Sequence, residues 1–547
     1  MNSLKPMLLT SLKSYDRTQF VKDVTAGIIV AIIALPLSIA LALASGVGPE
    51  AGIFTAIVAG FVISALGGSS VQIAGPTAAF ATIVAGIVAK DGLDGLVIST
   101  ILAGIFLILM GLCHFGSLIK FIPYTITTGF TSGIAVTIVI GQLKDFFGVT
   151  YPDGVKPIET TEKFKAFIEN ISTMNTAALI VGIVSLAILI ISPVIFKKIP
   201  GSLIAVIVGI LMVKFLPLKV STIGNLYTIS NSLPAFHLPA LNLHIIENAL
   251  PNAFTIAVLA AIESLLSCVV ADGMINGKHR SDMELVAQGA GNIASALFGG
   301  IPATGAIAIT AANIKNGGRT PVAGMVHSIT LVIVLVVLMP FAGMIPMPTI
   351  AAILFIVAYN MCQWRTFIHL IRTAPKSDII VLFATFILTI LFDLVVAIEI
   401  GMVLACLLFI KRMSEETHID GWTYVDDDTP DVDAPLKKLP LQIRVYEITG
   451  PLFFGAADAI EHIVVKDFTT CLVLRMRSVP AIDSTAMNAL FNLTKVCENK
   501  GITLVFSHVN EHPMKVMEKA GFVELVGREN FCPNISAALA HAEEISI

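Results

Sequence analysis

Long apolar runs separated by short polar breaks fill the sequence between Val24 and Ile410. Most runs have about 15–22 residues, which is close to the length that an α-helix needs to cross a bilayer. We count fourteen predicted membrane segments, and the third and the tenth are short. They lie at 24–46, 51–68, 76–89, 95–113, 121–142, 176–196, 201–217, 248–271, 284–299, 304–314, 322–340, 345–362, 378–392 and 395–410. The pattern predicts an α-helical polytopic membrane protein.

Basic residues give the expected orientation of this membrane domain, residues 24–412. The N-terminal stretch, residues 1–23, carries Lys5, Lys13, Arg17 and Lys22 and lacks the cleavage site of a signal peptide. If that stretch stays inside, fourteen alternating segments put sixteen Lys and Arg residues inside and seven outside. Because cytoplasmic loops are enriched in Lys and Arg, we expect a protein of the cytoplasmic (inner) membrane with both termini in the cytoplasm.

The composition changes after Arg412. Residues 413–438 contain eight Asp and Glu residues and are predicted to form an acidic linker, since such a stretch does not enter hydrocarbon. From residue 439, strand-like runs at 441–448, 471–476 and 502–508 alternate with helical patterns at 484–498, 513–520 and 535–544. This order predicts that residues 439–547 form a small cytoplasmic α/β domain.

The overall composition narrows the functional class. Of the 547 residues, 56% are hydrophobic and 13% are charged, and the net charge is −4. Lipid is therefore an expected partner, whereas nucleic acid is not. The seven cysteines show no metal-ligand spacing, so we expect free thiols, and no catalytic constellation predicts an enzyme or a bound cofactor.

Two stretches are too short and too rich in Gly, Pro and Thr to be ordinary membrane helices. They are Gly67–Ala79 and Gly299–Ala306, which lead into the third and the tenth segments. The third and the tenth segments are seven places apart in the order of the fourteen segments. This spacing predicts two repeats of seven segments each, and the odd number inverts the second repeat relative to the first. We expect each stretch to carry extended backbone towards the midplane, where a short helix begins at Pro76/Thr77 and at Thr304/Gly305.

Two helix N-termini that face each other would form an anion site. Each exposes unpaired N–H groups and acts as about half a positive charge, so together they offer about one unit. The predicted anion-binding residues, acting mainly through backbone N–H groups, are Thr77, Ala78, Thr304, Gly305, Ala306 and Ile307. The alternative is that Gly and Pro breaks serve only helix packing.

Glu263 is the single carboxylate in the apolar segment 248–271. A charge at that depth costs several kcal/mol unless the side chain faces a cavity, is protonated or binds a cation. We therefore predict a functional role for Glu263. The alternative is a carboxylate at a helix end that pairs with a neighbour.

Several motifs together resemble the SulP family of anion transporters, called SLC26 in animals, whose members carry a C-terminal STAS domain. The matching stretches are Ser45–Pro49, Ala74–Ala78, Glu263–Ser267 with Ala271–Met274, Gly299–Ala308, and Asn313 followed by Arg319–Pro321. The resemblance implies that a core domain, segments 1–4 and 8–11, moves against a gate domain, segments 5–7 and 12–14. It also implies elevator-type transport and a homodimer.

One departure from the family pattern affects the expected mechanism. Many members have a basic residue where this chain has Ile309. Two helix N-termini cannot balance a dianion, and an ionised Glu263 would increase the deficit. A proton on Glu263, or a sodium ion held by Glu263, Ser267 and Thr304, would supply the charge, as in the bicarbonate carriers that the family includes. We therefore expect proton- or sodium-coupled symport.

The stretch Val479–Ala486 resembles the Asp-Ser-Ser/Thr-Gly loop of STAS domains, which is phosphorylated in bacterial relatives. Ser484 and Thr485 are the matching hydroxyls, and Ala486 replaces the usual Gly. Phosphate is favourable at a helix N-terminus, so modification and a cytoplasmic protein partner are expected possibilities. The alternative is that this stretch only caps a helix.

Several functions stay open at this point. Family resemblance favours sulfate as the substrate, and the charge argument keeps bicarbonate and C4-dicarboxylates such as succinate or fumarate as alternatives. The same fold would also suit an uncoupled anion exchanger or channel. A different class is a membrane receptor that binds an anion and signals through the STAS domain.

Overall fold

The computed structural model describes most of the chain, in two compact units that comprise Met1–Met402 and Val403–Ile547. The described residues are 4–117, 123–152, 157–195, 200–216, 218–229, 232–239, 243–392, 394–422, 440, 442–457, 460, 463 and 468–546. The predicted start of the fifth segment and residues 423–438 of the predicted linker lie outside the described residues.

The membrane part is helical, as the hydropathy pattern predicts. Its helices are α1 Met7–Ser11, α2 Arg17–Ala44, α3 Pro49–Leu66, α4 Ala78–Leu112, α5 Tyr124–Phe147, α6 Thr160–Glu169, α7 Thr176–Ile195, α8 Gly201–Phe215, α9 Ile223–Leu226, α10 Leu243–Ile275, α11 Ser281–Leu297, α12 Ile307–Lys315, α13 Val322–Ala342, α14 Met347–Cys362, α15 Trp364–Thr373, α16 Lys376–Leu391 and α17 Leu394–Glu415. Each predicted segment overlaps one of them. Eight of the described helices are long and apolar enough to span a bilayer alone.

The third and fourth predicted segments are both contained in α4. Gly92 interrupts this helix with φ 72° and ψ −171°, which is not a helical conformation. Side-chain-bearing residues avoid that region of backbone space, so glycine is the residue that permits the break. The two predicted segments therefore correspond to the two parts of α4.

The helices of the first unit pack in two groups. One group contains α2, α3, α4, α10, α11, α12 and α13, and the other contains α5, α7, α8, α14 and α16. Glycine allows the closest approach in the first group, because a Cβ on Gly104 of α4 would lie 2.6 Å from the carbonyl oxygen of Gly289 in α11. Small residues at such contacts are typical of membrane helices.

The second unit contains a five-stranded sheet in the order β3 His418–Trp422, β4 Ile443–Thr449, β5 Cys471–Ser478, β6 Thr503–Ser507 and β7 Phe531–Cys532. β3 pairs antiparallel with β4, and the other neighbours are parallel. Four helices, Ser484–Asn499, Glu511–Lys519, Phe522–Val526 and Ile535–Ile545, accompany the sheet. The alternating side chains of the strands contribute to two separate apolar clusters, as expected for a sheet covered on both faces.

The predicted linker, residues 413–438, is partly incorrect. The helix α17 continues to Glu415, and β3 occupies residues 418–422. The strand was missed because His, Asp and Gly dominate it, and its place at the edge of the sheet depends on backbone pairing with β4. Composition does not show such pairing.

Candidate functional site

The two broken segments meet in the first unit. Ala74–Gly75, which form β1, pair antiparallel with Thr304–Gly305, which form β2. The N–H of Ala306 extends the pairing by donating to the carbonyl of Ile73 at 3.0 Å. The four paired residues are buried. Two stretches more than 200 residues apart thus form one compact element, in which the chains run in opposite directions.

A helix begins directly after each of these strands. α4 begins at Ala78 with Thr77 as its N-cap, and α12 begins at Ile307 with Ala306 as its N-cap. In neither case does the N-cap side chain bond to the helix. The N–H of Phe80 in α4 donates to the carbonyl of Thr77 at 3.3 Å, and the N-cap side chains leave the other first-turn N–H groups for another acceptor, which is what an anion provides.

The predicted start of the second short helix, at Thr304/Gly305, is incorrect by two residues. Those residues form β2, and helical backbone begins only at Ile307. The reason is the pairing with β1, which keeps residues 304 and 305 extended. The first start, at Pro76/Thr77, agrees with the structure, since Thr77 is the N-cap.

One face of α10 passes both strand–helix junctions. The hydroxyl of Thr77 donates to the carboxylate of Glu263 at 2.9 Å, and the hydroxyl of Thr304 donates to the carbonyl oxygen of Ala260 at 3.2 Å. Ser267 lies one turn beyond Glu263 on the same face. Its hydroxyl is buried and has no hydrogen-bond partner among the described residues.

Burial divides the predicted anion-binding residues into two sets. Ala78, Thr304, Gly305 and Ala306 are buried, whereas Ile307 is 42% exposed. Thr77 and Glu263 are each partly accessible. The accessible part of the site therefore consists of the two helix starts and the Glu263 carboxylate, and Thr304 and Gly305 lie behind it.

Glu284 is a buried carboxylate that the sequence analysis did not single out. It accepts hydrogen bonds from the N–H of Gly68 at 2.9 Å and of Ser69 at 3.1 Å. The side-chain amides of Gln72 and Gln288 donate to its other oxygen at 2.8 and 2.9 Å. These donors satisfy the carboxylate and fix the stretch that leads into β1. The sequence feature that could have identified Glu284 is its position at the start of the predicted membrane segment 284–299.

Side-chain amides also bond to the stretches that lead into the two strands. Asn292 accepts from the N–H of Ala303 at 2.8 Å and donates to its carbonyl at 2.9 Å, so it fixes the residue that precedes β2. Asn313 donates to the carbonyl of Val71 at 2.9 Å. These bonds satisfy backbone groups that lie away from water in the packed interior.

Ile309, the departure from the family pattern, is buried among apolar side chains. Its cluster contains Val30, Ala34, Ile73 and Ala306. The position therefore contributes packing between α2, α12 and the β1 approach, and it contributes no charge.

The STAS-like loop precedes a helix in the second unit. Asp483 is the N-cap of Ser484–Asn499, and its carboxylate accepts from the N–H of Ala486 at 2.9 Å and from that of Phe454 at 2.9 Å. Ser484 and Thr485 are exposed in the first turn. Capping is thus carried out by Asp483, and phosphorylation of the two hydroxyls stays a prediction.

The described residues contain no group of three or more His, Cys, Asp or Glu side chains arranged to hold a metal ion. The seven cysteines are free thiols, as their spacing predicts.

Comparisons with known proteins agree with this architecture. Residues 20–385 match the sulfate permease family, and residues 434–538 match the STAS domain. YvdB of Bacillus subtilis (strain 168), provisionally named a sulfate transporter, is 39% identical over 530 residues, which cover 95% of this chain and 97% of YvdB. The bicarbonate transporter BicA of Picosynechococcus sp. is 32% identical over 488 residues, covering 86% of this chain and 85% of BicA.

A solved structure shows the same fold. The murine anion transporter Slc26a9, in its inward-facing state, has a TM-score of 0.88 and 19% identity, covering 99% of this chain and 94% of that chain. The fold and the matched regions define a multi-pass membrane protein that transports anions and is not an enzyme. The chain belongs to the sulfate permease family and carries a C-terminal STAS domain.

Proposed function

We propose that the protein is a secondary active transporter that carries a small oxyanion, sulfate in the first place, across the cytoplasmic membrane together with a proton or a sodium ion. The observation that carries the proposal is the contact between Glu263 and Thr77. It places a carboxylate beside the uncapped start of α4, close to the paired strands β1 and β2.

Charge balance supports the coupling to a cation. The free N–H groups at the starts of α4 and α12 together act as about one positive charge. An ionised Glu263 cancels that charge, and the buried Ile309 supplies none. A proton on Glu263 restores the balance. A sodium ion would do the same, with Glu263, the unpartnered hydroxyl of Ser267 and the hydroxyl of Thr304 as its proposed ligands.

Bicarbonate is the second candidate substrate. The name of YvdB points to sulfate and that of BicA to bicarbonate, and this chain resembles both proteins over most of its length. One net positive charge in the site would suit a monoanion better than a dianion. C4-dicarboxylates such as succinate or fumarate are further alternatives to include in the assay.

The packing of the helices supports an elevator mechanism. The helices that carry β1, β2 and Glu263 belong to one packed group, and α5, α7, α8, α14 and α16 form the other. We propose that the first group carries the bound anion past the second, in a homodimer. Because the whole site lies on one group, it would move without being dismantled.

Uptake into proteoliposomes tests the proposal. We expect radiolabelled sulfate or bicarbonate to accumulate when an inward sodium or proton gradient is imposed. Replacement Glu263→Gln removes the ionisable group and keeps its size, so gradient-driven uptake should fall about tenfold or more. Glu247→Gln is the matched control, because Glu247 lies exposed on the same helix, α10, and should leave uptake unchanged.

The outcomes separate the alternatives. Uptake that depends on neither gradient and that is the same in Glu263→Gln as in wild type would reject coupling to a cation. The protein would then be an exchanger or a channel. Anion binding without flux would favour the receptor. Accumulation under only one gradient would identify the coupling ion.

A further inference from the structure

A cavity that is not lined by Thr77 or Glu263 lies beside the candidate site. Its volume is about 670 Å³, and it lies between the two groups of packed helices. α4 and α10 form one wall, with Thr82, Lys90 and Asn252, and α5 and α16 form the other, with Thr137 and Thr389. The helix α6 also lines it, with Thr160 and Lys163.

This cavity is adjacent to the proposed anion site and distinct from it. Its lining residue Thr82 follows Ala78 by one turn of α4, which is about 6 Å along the axis. Thr255 precedes Glu263 by two turns of α10, or about 12 Å. Neither Thr77 nor Glu263 lines it. An ion in the cavity would thus be one step away from the helix start.

Lys163 is the distinctive side chain of the cavity. It has no ion-pair or hydrogen-bond partner among the described residues, although it is largely screened from solvent. Burial lowers the pKa of its ammonium group. A screened cation without a counterion is unfavourable, and an anion that enters the cavity would relieve that cost.

Neutral donors in the cavity add to this preference. The hydroxyls of Thr137, Thr255 and Thr389 donate to carbonyls of their own helices. Those of Thr82 and Thr160 have no partner among the described residues, so each can donate to an oxyanion.

Two carboxylates, those of Asp91 and Glu159, also line the cavity. The amide of Asn252 is 3.5 Å from the carboxylate of Asp91, and Glu159 is the N-cap residue of α6. Neither carboxylate forms an ion pair or a hydrogen bond with the Lys163 ammonium among the described residues. The Lys163 ammonium is thus available to a ligand.

We propose that this cavity is an entry site for small oxyanions, in which Lys163 captures the anion before it reaches the starts of α4 and α12. Lys90 and Lys163, which line the cavity, belong to loops that the positive-inside pattern assigns to the outside. The inference rests on the proposed function, since it supplies the substrate path for that site. Because the cavity lies between the two helix groups, their relative movement would also change its size.

Transport from each side of the membrane tests the entry site. In right-side-out vesicles, Lys163→Gln should raise KM for the external anion about fivefold, the Coulomb contribution of one charge at contact in water, and leave the maximal rate unchanged. It should also weaken the rise of KM with ionic strength. In inside-out vesicles KM should not change. Lys163→Arg should behave as wild type.

Lys165→Gln is the matched control, because Lys165 lies on the same helix, is exposed and pairs with Glu169. If Lys163→Gln does not fold, Thr82→Val, which removes a donor and keeps the shape, should raise KM about threefold. Wild-type flux with unchanged KM and salt dependence in the Lys163 or Thr82 variant would overturn the entry site alone. Absence of any anion flux in wild type would instead overturn the proposed function.

Discussion

At the scale of single residues, Gly305 lies in close contact with the side chain of Gln72. A Cβ on Gly305 would overlap the carboxamide of Gln72. That carboxamide cannot move freely, because it donates to Glu284 and accepts from the thiol of Cys268. Glycine at position 305 therefore lets the buried Gln72–Glu284 network and the strand β2 occupy the same region.

Replacement Gly305→Ala should displace Gln72 and leave Glu284 with one donor fewer. Because a buried polar group that loses its partner costs about 1–3 kcal/mol, thermal unfolding in detergent should shift to lower temperature. Anion uptake should fall as well, since β2 positions the start of α12.

Gly141→Ala is the control for this change. Gly141 lies in α5, and a Cβ there meets no atom within 4 Å. We expect unchanged uptake and unfolding. If Gly305→Ala also unfolded and transported as wild type, the network around Gln72 would not be required to shape the site.

A functional residue can be predicted from the sequence when its own segment makes it unusual, and it cannot when its role depends on contacts with distant residues. Glu263 stands out because it is the single carboxylate of its apolar segment. Its partner Thr77, 186 residues away, is not visible in the sequence as a contact. Glu284 lies at a segment boundary, where carboxylates are common, and two of its donors come from Gly68 and Ser69. Its role depends on the tertiary fold.

At the scale of helices and strands, the main feature is the interruption of a membrane helix at a single glycine. The interruption of α4 at Gly92 separates the shorter part that begins at Ala78 from a longer part that packs on α11. Its backbone angles, φ 72° and ψ −171°, belong to a region that is almost restricted to glycine. The break therefore depends on this one residue.

Gly92→Ala should destabilise the protein by about 1–3 kcal/mol, because alanine must adopt that backbone conformation or straighten the helix. Gly86→Ala is the matched control in the same helix. It lies in helical backbone with no atom within 4 Å of a Cβ, so it should be neutral or stabilise by about 0.5–1 kcal/mol. Thermal unfolding in one detergent compares them, and equal midpoints would show that the break tolerates a side chain.

The elements that hydropathy predicts are those with a long apolar run. All fourteen segments overlap helices, and the fold class follows from them. The strands β1 and β2 have two residues each and were visible only as Gly- and Pro-rich interruptions. The strand β3 was missed, since it has three residues of the types His, Asp and Gly and therefore no apolar run.

At the scale of the whole molecule, the two units differ in where their apolar side chains lie. The membrane unit exposes many large apolar side chains, such as Ile183, Ile333 and Val337, which suits contact with lipid. The second unit has its own apolar clusters on the two faces of its sheet, including Leu474 and Phe506 on one and Val473 and Val505 on the other. The change in composition after Arg412 predicts this division, although not where the sheet begins.

The second unit should be more stable as an isolated fragment when its first strand is included. A fragment of residues 416–547 keeps β3, whose five residues pair with β4. A fragment of residues 439–547 follows the boundary predicted from composition and leaves the edge of β4 unpaired, which reduces stability and favours aggregation. We expect the longer fragment to unfold cooperatively by circular dichroism, with a midpoint at least about 5 °C higher.

A point variant separates pairing from chain length in the same comparison. Ile419 of β3 packs against the apolar cluster of the sheet. Ile419→Ala in the longer fragment should therefore give an intermediate midpoint, because it removes the packing and keeps the backbone bonds. Equal midpoints for the two fragments would show that β3 is dispensable and that the domain begins near residue 439. A lower midpoint of the shorter fragment would place the start of the STAS domain at His418, directly after α17.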